Sequence, residues 1–69
     1  MSSRVKLGIP ELSTGLSFLR QAHVGVAGVC AMFTISGDTG TAERLAEIEK
    51  RLRDEIEFVS RLIQKAKQH

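Results

Sequence analysis

Asp38-Thr39-Gly40 is the triplet that aspartic proteases of the retroviral type bring together across a two-fold axis. There, two carboxylates share one proton and so supply an acid and a base side by side. That chemistry needs the triplet on a turn between strands of an all-β framework. Here Gly37 precedes it and a long charged segment follows, and too little chain remains to build the framework. The triplet reads as a turn and a helix cap. Gly37-x-x-Gly40-Thr41 has the glycines of a phosphate loop. It lacks the Gly-Lys-Ser/Thr ending and the preceding strand such a loop requires. What is left is the general capacity of a helix N-terminus for an anion.

His23 and Cys30 are the next candidates. Seven residues of helix separate them, about 10.5 Å at 1.5 Å per residue, so they cannot share one metal ion. His69, the other histidine, lies at the chain end. His23 is expected as a packed, hydrogen-bonded interface histidine and Cys30 as a buried, unreactive thiol. No nucleophile–base pair, carboxylate pair, metal cluster or cofactor motif is legible, so no catalytic, cofactor-binding or metal-binding residue is assigned and the protein is not expected to be an enzyme.

The basic side chains offer a different chemistry. On a helix, Lys50, Arg53, Arg61 and Lys65 project along one solvent stripe, with Arg44 and Arg51 on its flank. Such a stripe can track the phosphates of double-stranded RNA or DNA by shape, without reading bases. Asp54 and Glu57 interrupt it, and no aromatic residue stands among the bases to stack on one. Sequence-nonspecific duplex binding is therefore the alternative function. Mixed-sign charge on a helix more commonly serves solvation and (i, i+4) pairing.

The elements that would position these residues follow from apolar spacing. Pro10 and Glu11 open a helix, since proline loses nothing at the first helical position and an acid suits the N-terminal dipole. From there Leu12, Leu16, Leu19, His23, Val26, Cys30 and Phe33 recur at alternating steps of four and three, one stripe of a helix. Val24, Val29, Met32 and Ile35 add apolar surface outside that stripe, so residues 24–35 are apolar all round and need more than one neighbour. Gly25, Gly28 and Ala31 form a ridge of small residues on which another backbone could rest. The same stretch is rich in β-formers, which leaves a strand as the competing assignment for 24–35. Ser36 to Gly40 is a turn by composition, with Gly37 suited to end one helix and Thr39 or Thr41 to cap the next. Leu45, Ile48, Leu52, Ile56, Val59, Leu62, Ile63 and Ala66 then share an arc of about 120° on a second helix. Their steps of 3, 4, 4, 3 and 4 from Leu45 to Ile63 fall short of a strict heptad.

The expected architecture is all-α: an extended arm over residues 1–9 and a helical hairpin over 10–69, with helices about 10–36 and 41–67. A hairpin of two helices has no interior of its own. A 7.6 kDa chain with one cysteine and three aromatic residues, all Phe, has neither a disulfide nor a large core to supply one. The expected solution is a homodimeric four-helix bundle. Its interface is drawn from His23, Val26, Val29, Cys30, Met32, Phe33, Ile56, Val59, Leu62 and Ile63. The corresponding function is a non-enzymatic adaptor or chaperone-like subunit whose partners are itself and another protein. The lone cysteine fits a reducing compartment, and the longest apolar run, Val24 to Ile35, is shorter than the roughly 20 residues a bilayer span requires. No membrane partner and a cytoplasmic location are therefore expected.

Overall fold

A computed structural model describes residues 7–68. They form two α-helices, α1 (Ile9–Ser36) and α2 (Thr39–Lys67), packed against each other as an antiparallel hairpin. The first six residues of the expected arm lie outside the described residues, and of its remainder Ile9 already belongs to α1. Residues 24–35 are helical throughout, so the strand alternative does not hold.

Local chemistry accounts for the ends. The Gly8 N–H donates to Glu11 Oε1 at 2.9 Å, and Pro10 stands at the helix start where its missing N–H leaves no bond unmade. α1 ends at Gly37, whose φ of 89° is a left-handed conformation that costs a side-chain-bearing residue about 1–2 kcal/mol. Asp38, not Thr39 or Thr41, caps α2. Its carboxylate accepts from the Thr41 N–H at 3.1 Å and from the Thr41 hydroxyl at 2.8 Å. Those two bonds, the hydroxyl's first, hold the Asp38 carboxyl below its usual range. Within α1 the hydroxyls of Thr14 and Thr34 donate back to the Pro10 and Cys30 carbonyls, so neither is a stranded polar group.

The contact between the helices is more regular than the arc of apolar residues implies. α1 turns Leu12, Leu16, Leu19, His23, Val26, Cys30 and Phe33 inward, and α2 answers with Ala42, Leu45, Glu49, Leu52, Ile56, Val59 and Ile63; all are buried or half-buried. Both series step by four and three without a break. The seam is thus a strict heptad pattern, and the irregularity expected on α2 came from counting Ile48 in the place that Glu49 occupies. Leu16, Ala42 and Ile63 are the buried apolar residues, and no described side chain is fully enclosed. The hairpin is one layer of helix, wet on both sides.

Candidate interaction interface

The seam consumes most of the residues expected at a dimer interface. His23, Val26, Cys30, Phe33, Ile56, Val59 and Ile63 all line the contact between α1 and α2, whereas Val29, Met32 and Leu62 stand exposed. The Cys30 thiol donates to the Ala42 carbonyl oxygen at 3.3 Å across the hairpin. His23 Nε2 sits 3.4 Å from Glu49 Oε2, and it is buried without a well-formed hydrogen bond. The approach is close enough for Coulomb attraction if the imidazole is protonated, but its geometry falls short of a hydrogen bond. This pair is the one polar layer in an otherwise apolar seam, and two matched polar residues at such positions favour a single register over a slipped one. His23 was visible from its spacing. Glu49 was not, because its charge placed it on the solvent side of α2, paired with Arg53.

The exposed apolar residues are not scattered evenly. Each residue advances about 100° around a helix. The two helices run in opposite directions, so the same sense of rotation away from each inner line reaches the same side of the hairpin. Turning about 50–130° in one sense brings up Val26, Phe33, Val29 and Phe18 on α1 and Leu52, Val59, Ile48 and Leu62 on α2. Phe18, Val29, Ile48 and Leu62 are 38–64% exposed. One broad face of the hairpin is therefore largely apolar, with Met32 and Phe58 on its edges and one charged residue, Glu55, between Ile48 and Leu62. Glu47, Ile48, Arg51 and Leu52 line a shallow groove on that side. Turning the other way brings up Arg20, Ser13, Arg53, Glu57, Lys50 and Arg61, together with Val24 and Ile35.

This division separates the candidate nucleic-acid contacts. Lys50, Arg53 and Arg61 belong to the polar side, whereas Arg44, Arg51 and Lys65, spaced by multiples of seven, rim the apolar one. Arg61 is already held by Glu57 at 3.0 Å, both well exposed; such a pair contributes only about 0.3–0.5 kcal/mol. Of the six opposite-charge (i, i+4) pairs the spacing of α2 allows, from Glu47–Arg51 to Glu57–Arg61, this alone closes. The ridge of Gly25, Gly28 and Ala31 lies on the outer edge of α1, and nothing stands within 4 Å of a Cβ built at either glycine. No backbone of this chain uses their smallness.

α1 also bears on the question of lipid. Its 28 residues are long and apolar enough, by length and composition, to cross a membrane, and its most apolar window is not buried in the hairpin. Comparison with known protein families, curated proteins and solved structures finds no match.

Proposed function

We propose that the chain is a non-enzymatic interaction protein that works as a homodimeric four-helix bundle, two hairpins packed through their broad apolar faces. The observation that carries this is the single-layer fold with an apolar side. Phe18, Val29, Met32, Ile48, Phe58 and Leu62 are 38–67% exposed. At about 150–200 Å² for a large side chain they offer roughly 500–600 Å². The outer edges of Val26, Phe33, Leu52 and Val59 bring the total towards the roughly 800 Å² a partner contributes to a standard interface. Val24 and Ile35 stay outside such a dimer and suit a second, different protein, which is what makes an adaptor or chaperone-like subunit the preferred assignment.

Protein fits this surface better than lipid. Arg20, Gln21 and His23 fall within the apolar stretch of α1, His23 faces Glu49, and α2 is charged around most of its circumference. Each charge carried to the centre of a bilayer costs about 2.5–3.5 kcal/mol even on permissive scales. The same cost favours a soluble protein, and the cytoplasmic location proposed with it rests on the lone cysteine, Cys30. Duplex binding is less favoured, because face-to-face packing sends the two basic stripes to opposite outer sides of the dimer, where one duplex cannot touch both.

Val29→Asp and Leu62→Asp provide the test, since both side chains are exposed in the hairpin. Each variant should keep its helical circular dichroism and sediment as a monomer. If both remain dimeric, the apolar face is not the interface. Flotation with anionic liposomes and titration with a short RNA duplex at low salt should show no binding; saturable binding in either would replace this assignment.

A further inference from the structure

We infer that the second copy packs in the reverse direction, with the turn end of one hairpin beside the open end of the other. The inference rests on the homodimer proposed above and adds its orientation, which the charge distribution decides. Along α2 the charges are sorted by position. Asp38, Glu43, Glu47 and Glu49 stand against Arg44 alone at the turn end. Lys50, Arg51 and Arg53 balance Asp54, Glu55 and Glu57 in the middle. Beyond the Glu57–Arg61 pair, Lys65 and Lys67 have no acid beside them on α2 at the open end. Glu11, the one acid of α1, is also at the open end, its carboxylate taken up by the Gly8 N–H, and it leaves that end basic. The macrodipoles of two antiparallel helices cancel at each end, so the side chains set the sign.

Two hairpins stacked through their apolar faces have two symmetric choices. A two-fold axis along the helices sets acidic end on acidic end and basic end on basic end. A two-fold axis across the helices sets each acidic turn end against a basic open end and lays α2 antiparallel on its copy. Both choices bury the same apolar face, so hydrophobic burial does not separate them. Like charges brought together cost free energy that opposite charges return, and only the crossed arrangement is complementary at both ends.

One spin label per chain at Thr39→Cys, an exposed position at the start of α2, reports the orientation by pulsed electron resonance. Cys30→Ser in the same chain removes the native thiol and keeps a donor for the Ala42 carbonyl. The crossed dimer predicts labels about 40 Å apart, the length of a 29-residue helix. A distance under about 25 Å, two helix diameters plus the label arms, would overturn the orientation and leave the homodimer standing. A labelled chain that sediments as a monomer and gives no distance would overturn the homodimer itself. Salt gives an independent sign: raising it from low to high should weaken the crossed dimer several-fold by screening opposite charges, whereas tightening would contradict it.

Discussion

At the scale of the residue, Asp38 shows how one side chain does two jobs that its neighbours seemed suited for. It sits between the left-handed Gly37 and the first turn of α2, and its carboxylate takes both Thr41 donors. Because those bonds favour the ionised form, its folded-state titration lies below the ordinary value of 3.8. Its contribution to stability is therefore present above that value and is lost as the pH falls through the lower, folded one. Asp38→Ala should lower the thermal midpoint at neutral pH, and Asp38→Asn, an equally good cap, should keep most of it. Melting followed by circular dichroism down to about pH 2 should show the wild-type advantage over Asp38→Ala disappearing in acid, with Asp38→Asn insensitive to that change. An advantage that persists at the lowest pH would mean the cap does not depend on the carboxylate. His23 and Glu49 make the complementary point. Half of that pair was legible, because a histidine on an apolar stripe stands out. A glutamate among eight acids does not, and only the heptad steps from Ala42 to Ile63 recover it.

At the scale of the element, sequence patterning accounts for nearly everything the helices do. Pro10, Gly37 and the stripe from Leu12 to Phe33 place α1 to within a residue of its observed start and end. The charge-rich arc places α2, which begins two residues earlier than expected because Asp38 rather than Thr41 is the cap. What spacing alone left open was whether 24–35 would be helix or strand, since valine, isoleucine and phenylalanine favour one and the continuing stripe the other; the pairing with α2 decides it. The glycines divide the same way. Gly37→Ala should cost about 1 kcal/mol, because alanine at a φ of 89° is strained. Gly28→Ala, on the side of α1 away from the seam, should gain up to about 1 kcal/mol of helix propensity, because the added methyl meets open space. Urea denaturation at one fixed protein concentration measures both. A loss at Gly28 would mean that another chain rests on that outer edge of α1.

At the scale of the whole molecule, two regular helices make an incomplete protein. The heptad seam closes the hairpin and leaves it one layer thick, with an apolar side facing water and no fully enclosed side chain. The interface expected from the sequence ran through the seam because a stripe at steps of four and three looks the same whether its partner is the neighbouring helix or another chain. The residues left over by that pairing, Phe18, Val29, Ile48 and Leu62, were legible only as surplus apolar positions. It takes the antiparallel geometry of the hairpin to put them on one face. The central claim is that this face is covered by a second copy, and sedimentation equilibrium of the unmodified chain over a range of concentrations tests it most directly. A mass of twice the 7.6 kDa chain, dissociating only on dilution, is the expected result. A helical, cooperatively melting species that stays at the mass of one chain at every concentration would contradict it.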